Sequence, residues 1–229
     1  MGVSLVTTKS PLDVARANRT RIAALSFPIS GLVAAVAALT PGIGIKPSLD
    51  PYRFSQAANY VGLANLAGII SLVFLLFGFQ TLHAFLERSS VDTWAFAGMI
   101  LSVIGLGLFL PFLGIFAFAA PVVGRVYLSG DLQAVDIVSE ATGLSNPAAF
   151  AFGGISVLCS VLGAILFSVA IWRSGKMPKW SALAYAYSAP LNWTPHYVPV
   201  LWLLGGILLF GAGIGITRGI WNALKEEYS

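Results

Sequence analysis

Four stretches of this chain are long, apolar and free of charged residues: Ile22 to Ile45, Tyr60 to Leu86, Trp94 to Ala119 and Ala148 to Trp172. Crossing roughly 30 Å of hydrocarbon takes about 20 such residues in a helix. In lipid every backbone N–H and C=O must be satisfied internally, so an apolar run of this length has the helix as its outcome. The expected fold is therefore all-α, a polytopic membrane helix bundle, with residues 1–229 as a single integral membrane domain. Composition agrees: 57% of the residues are hydrophobic and only 10% are charged, whereas a soluble domain carries about 25% charged residues.

The number of crossings turns on one short segment. Trp180 to Trp193 is apolar but has only 14 residues, a rise of about 21 Å as a helix. Val198 to Ile216 is long enough to cross. Six transmembrane helices result if the short segment spans, and five if it does not. Charge favours six. With the N-terminus inside, Lys9, Arg16, Arg19, Arg21, Arg88, Arg173, Lys176, Lys179, Arg218 and Lys225 all fall on the cytoplasmic side. Lys46, Arg53 and Arg125 fall outside, so the bias is ten to three. Five helices would move Arg218 and Lys225 outside and weaken it. Basic residues in short loops stay cytoplasmic, which predicts an N-in/C-in topology with helices at about 22–45, 60–86, 94–119, 148–172, 178–193 and 198–221. Trp94, Trp172, Trp180 and Trp221 then lie at cytoplasmic helix ends, and Trp193 at an outer one, as an aromatic belt requires.

The first helix is expected to remain as an uncleaved anchor, because its apolar run continues past the small-residue stretch Ala35-Val36-Ala37. The longest connection, Ala120 to Asn146, is predicted outside. Its Leu132, Val135 and Val138 share one helical face, suggesting an amphipathic helix on the outer surface. The net charge of +4 lies between apolar runs and does not form a nucleic-acid-binding face. Cys159, the single cysteine, has no disulfide partner in the chain and is expected to pack as a small apolar residue.

Candidate functional residues are few. Pro28 and Pro111 interrupt predicted helices, and a proline removes a helical hydrogen bond and kinks the backbone. Such kinks are either packing features or hinges beside a solute path. Gly211, Gly215 and Gly219 recur every four residues, a stripe that lets two helices approach closely, within the chain or at a dimer seam. Intramembrane ionisable side chains mark proton relays and voltage sensors, and no Asp, Glu, Lys or Arg lies near a predicted midplane. Asn65, Ser71, Ser102, Ser156 and Ser160 are expected to act as interhelical glue. His83 and His196 fall at opposite ends of the predicted bundle, so they do not share a metal or haem. No cofactor or metal is expected.

Ser156, after Gly153-Gly154, and His196 have the helix-four and helix-six placement of the dyad in rhomboid intramembrane proteases. The Gly-x-Ser-Gly pattern is broken by Val157, which puts that resemblance in doubt. Leu166 to Leu191 resembles a different group, bacterial six-helix membrane proteins of unknown function. The matching residues are Trp172, Arg173, Ser174, Gly175, Pro178 and Trp180, where one helix exits and a short Ala-rich helix begins. The resemblance implies a fold and a membrane location in bacteria, and no activity. The sequence favours a non-enzymatic membrane scaffold or partner subunit, with a homo-oligomer or a membrane partner beside the lipid bilayer. A transporter of a neutral or apolar small solute is the alternative, and an intramembrane serine hydrolase the remote one.

Overall fold

A computed structural model describes residues 11–87, 89–143, 146–193 and 198–228. These residues are helical almost throughout and include no strand. Nine α-helices follow in order: α1 Pro11–Ala24, α2 Ser26–Ala38, α3 Pro51–Leu86, α4 Asp92–Gly114, α5 Ala120–Leu128, α6 Ala134–Thr142, α7 Pro147–Ser174, α8 Lys179–Asn192 and α9 Pro199–Tyr228. A π turn, Ile115–Ala119, joins α4 to α5 without a break.

Five segments are long and apolar enough to cross a membrane: Ala15–Ala38, Pro51–Leu86, Asp92–Leu128, Pro147–Ser174 and Pro199–Glu227. Their surroundings are inverted relative to a soluble protein. Leu, Ile, Val and Phe side chains such as Ile70, Phe77, Ile104, Leu158 and Ile207 point outward, while Ser30, Ser71, Ser102, Ser156, Ser160 and Ser188 are buried. Lipid tails are as apolar as leucine, so membrane helices associate through close packing and hydrogen bonds and not through apolar burial. The chain fits a multi-pass membrane protein.

The helices form a closed ring in the order α2, α3, α4, α7, α8, α9, with α9 packed back on α2. Two antiparallel pairs within it are unusually close. In α2–α9, a Cβ on Gly31 would lie 2.2 Å from Phe210 N, one on Gly206 2.6 Å from Ala35 N, and one on Gly213 2.5 Å from Pro28 N. In α4–α7, a Cβ on Gly98 would meet Phe167 N at 2.9 Å, and one on Gly163 would meet Ser102 N at 2.7 Å. Ser156 Oγ donates to Gly105 O across this second pair at 2.5 Å.

Pro28 is tied to the first pair. The helix breaks at Leu25, between α1 and α2. Pro28 has no N–H to give to Ala24 O, four residues earlier. Thr217 Oγ1 donates to that carbonyl instead, at 2.8 Å. Leu25 N turns to Ile22 O, and Arg21 O accepts from Trp221 Nε1 at 2.8 Å. Thr217→Val keeps the shape and removes the donor, leaving a buried carbonyl unpaired. We expect a loss of about 1–2 kcal/mol, toward the upper end for one interhelical hydrogen bond. Thermal unfolding in detergent measures it, and an unchanged midpoint would contradict the assignment.

The Arg21–Trp221 bond also places the start of α2 and the end of α9 at one end of the bundle. The same end holds Arg173 over the Trp94 ring at 6.0 Å and Lys179 over the Trp172 ring at 5.2 Å. Cation–π contacts of this kind fix aromatic anchors at headgroup depth. At the turn between α7 and α8, Gly175 has φ +66°, the left-handed geometry of a helix terminator that glycine adopts without strain.

Several boundaries differ from the sequence expectation, each for a local reason. The first span ends at Ala38 and not at Ile45, because Pro41, Gly42 and Gly44 turn the chain, with Gly42 and Gly44 at positive φ. The second begins at Pro51 and not at Tyr60. Asp50 caps it by accepting from Arg53 N, and Pro51 occupies the first helical position. The third runs on from 119 through Pro121 to Leu128. The segment Ala134–Thr142 is helical, and its apolar face packs on the protein. Val135 and Val138 are buried, while Leu132 points away, 69% exposed. The segments predicted at 148–172, 178–193 and 198–221 appear as Pro147–Ser174, Lys179–Asn192 and Pro199–Tyr228. The 14-residue α8 is shorter than the five long segments, yet it takes the fifth place in the six-helix ring.

The continuous helices 51–86 and 92–128 are each about 54 Å long, well beyond the hydrocarbon thickness. Their extra length projects at the end opposite the basic one. There Gly124 and Gly62 bring α5 against α3, and Phe54, Val61, Ala120 and Val135 form a second small core. This core positions the site.

Candidate functional site

The projecting end encloses a vestibule of about 580 Å³. Residues 42–48, the outer turns of α3, the end of α4, the π turn and α6 surround it. Its floor is aromatic, made by Phe109, Phe112 and Phe116 with Asn65 among them. Phe109 and Phe112 are stacked at 6.0 Å. Lys46, Asp136 and Glu140 stand on its walls, two carboxylates against one ammonium. Counted along α3, Asn65 is 21 residues above Leu86, a rise of about 32 Å. The floor therefore lies about one hydrocarbon thickness from Leu86.

Beneath it lies a buried chamber of about 80 Å³. Each of the six ring helices contributes to its wall: Ala34 of α2, Ser71 of α3, Ser102 of α4, Ser160 of α7, Tyr185 of α8 and Leu209 of α9. No charged side chain is among its described walls. Ser160 Oγ and Asn192 Oδ1 are buried there without a hydrogen-bond partner in the described structure. Ser71 is already engaged, donating to Ser30 O at 2.9 Å. A mostly apolar cavity of this size with a few polar groups holds at most a few water molecules or a solute of a few heavy atoms, and it is smaller than the roughly 150 Å³ that accepts benzene.

Aromatic side chains close the chamber at both ends. Phe109 lines the vestibule and the chamber alike, and its ring meets that of Trp193 at 4.3 Å, edge to face. Toward the basic end, Phe27, Phe79, Phe167 and Tyr185 form one cluster with centroids 5.3 to 6.4 Å apart. The bundle thus has an open cup on one side, a small occluded space behind one phenylalanine, and a packed plug beyond it.

The residues singled out in the sequence are scattered around this axis. Pro28 packs against Gly213. Pro111 lies four residues before the π turn, and a π turn is a local widening that accommodates an irregular backbone. Gly215 meets Trp180 and Ser181, and Gly219 meets Met177, so both serve contacts within the chain. Gly211 faces open space. Ser156 is fully buried, with its hydroxyl engaged by Gly105 O. His196 lies outside the described residues. His83 Nδ1 is 3.7 Å from Asp92 Oδ1 at the basic end, and its ring is 5.5 Å from Phe96. Cys159 is half-buried on α7. No group of three or more His, Cys, Asp or Glu able to hold a metal occurs among the described residues. Phe109 and Phe112 are members of the site that the sequence does not single out, while Asn65 is expected there only as interhelical glue and Trp193 only as part of the outer aromatic belt. An asparagine followed by aromatic residues in separate helices carries no spacing signal.

Compared with family models, curated proteins and solved structures, the chain matches none.

Proposed function

We propose that this multi-pass membrane protein binds a small, largely apolar, uncharged solute in the vestibule and admits it, or a part of it, into the six-helix bundle. The observation that carries this is the vestibule itself. Its volume falls within the range typical of small-molecule sites, and such sites combine apolar walls with a few polar groups. The chamber behind Phe109 supports passage toward the interior. Of the functions the sequence leaves open, a solute transporter uses both spaces, whereas a scaffold uses neither. The ten-to-three distribution of basic residues supports placing the Trp94–Arg173 end in the cytoplasm and the vestibule outside. The Trp172–Trp180 hairpin supports grouping the chain with bacterial six-helix membrane proteins. With no charge near the chamber, the solute crosses as a neutral molecule.

Extraction in a mild detergent followed by native mass measurement tests the proposal. The wild-type protein is expected to retain an adduct of about 100–500 Da, a size matched to a pocket of this class. Ser139→Trp, which places an indole on the vestibule wall, is expected to reduce adduct occupancy at least fivefold. A wild-type mass with no adduct, together with no saturable uptake of any apolar probe, would rule the proposal out.

A further inference from the structure

We infer that the Asn65 side-chain oxygen is the group that selects the solute, and that the solute class is an apolar body carrying one N–H or O–H donor. The inference rests on the vestibule being a binding site.

Asn65 is only 3% exposed. Its amide nitrogen donates to Val61 O at 2.8 Å, within α3. Of the two amide atoms only the nitrogen can donate to a carbonyl, so this bond fixes which way the amide faces. The oxygen Oδ1 is left buried and without a partner in the described structure, on a residue that lines the vestibule. Phe109, Phe112 and Phe116 line the same space and supply no hydrogen-bond donor. An acceptor so placed is unfavourable until a donor arrives, because a desolvated carbonyl loses its water and gains nothing. A ligand that brings an N–H or O–H restores the bond in a low-dielectric setting, and one without it leaves the oxygen stranded. Sites built to hydrogen-bond a ligand group reject the analogue lacking it far more strongly than apolar pockets reject a change of shape. Phe109, Phe112 and Phe116 meanwhile offer ring faces to the body of the ligand.

Two probes with the same two-ring body separate these contributions. 2-Naphthol donates a hydrogen bond and 2-methoxynaphthalene does not. Saturable binding of each to the full chain in nanodiscs is measured by equilibrium dialysis, with empty nanodiscs as the blank for partition into lipid. We expect 2-naphthol to bind at least tenfold more tightly. Asn65→Leu removes the acceptor and should bring the two probes within twofold of each other. Asn65→Asp retains an acceptor and should keep the preference, which shows that the loss in the leucine variant is not misfolding. If both probes bind the wild-type protein equally, the selection by Asn65 is overturned while the vestibule stands as an apolar binding site. If the preference survives Asn65→Leu, another acceptor is responsible and the inference is likewise overturned. If neither probe binds saturably, the vestibule is not a site and the inference falls with it.

Discussion

Gly31→Val is expected to abolish the folded bundle, whereas Gly211→Val leaves it intact. The two glycines lie in apolar helices that pack against one another, and their sequence surroundings look alike. At Gly31 a Cβ would sit 2.2 Å from Phe210 N, 2.6 Å from Phe210 Cα and 2.7 Å from Leu209 C. All three are backbone atoms, so a rotamer change cannot make room. The α2–α9 pair would have to separate, and with it the Thr217–Ala24 and Trp221–Arg21 bonds at its end. Overpacking typically costs about 1–3 kcal/mol. A clash with backbone along a whole helix pair lies at or above the top of that range, enough to unfold a marginally stable protein. At Gly211 nothing lies within 4 Å, and valine has the better helix propensity. Size-exclusion profiles and thermal midpoints of the two detergent-solubilised variants decide the matter. A monodisperse Gly31→Val protein with a wild-type midpoint would show that α2 and α9 are not in contact.

The same pair of glycines shows where the sequence was legible and where it was not. Apolar run length reveals which segments cross, because the bilayer imposes one thickness on all of them. The basic residues and the Trp172–Trp180 turn likewise mark one end of the bundle, since interfacial chemistry acts locally. Helix contact is different. Of the four-residue stripe Gly211, Gly215, Gly219, the last two take close contacts from Ser181 and Met177, at and just before α8, while α9 meets α2 through other glycines. Its closest approaches are at Gly206 and Gly213, seven residues apart, opposite Ala35 and Pro28. α4 repeats the spacing with Gly98 and Gly105 against α7. A seven-residue repeat of small residues keeps one seam facing a partner along two nearly antiparallel helices. That spacing was present in the sequence, diluted among 24 glycines. Helix starts at Asp50-Pro51 and Asn146-Pro147 were also present. In the second, Asn146 Oδ1 accepts from Ala148 N and Ala149 N, and a cap followed by proline is a local signal. The vestibule has no such signature. It depends on α3 and the α4–α5 helix outrunning the membrane together and on α6 folding over them, which is a property of the assembled chain.

Phe109→Ala is expected to join the vestibule to the chamber. Its ring borders both spaces and leans on Trp193 at 4.3 Å. Truncation removes that barrier and the edge-to-face contact, worth about 0.5–1.5 kcal/mol beyond burial. Ser188 reports the change. It lines the chamber and is 1% exposed, with its hydroxyl donating to Tyr185 O, so a cysteine there is shielded from water while the barrier stands. In a Cys159→Ala background, which removes the native thiol, Ser188→Cys should react slowly with a small charged methanethiosulfonate added from the vestibule side. Adding Phe109→Ala should raise that rate at least tenfold, because reaction then follows free diffusion and no longer waits for the ring to move. The aromatic cluster of Phe27, Phe79, Phe167 and Tyr185 still blocks the other side, so reagent added at the basic end should gain nothing. Equal acceleration from both sides would mean that the chamber communicates with the basic end as well, and the one-sided arrangement drawn from the two aromatic layers would be wrong. No acceleration from either side would separate the chamber from the vestibule and confine solute binding to the outer cup.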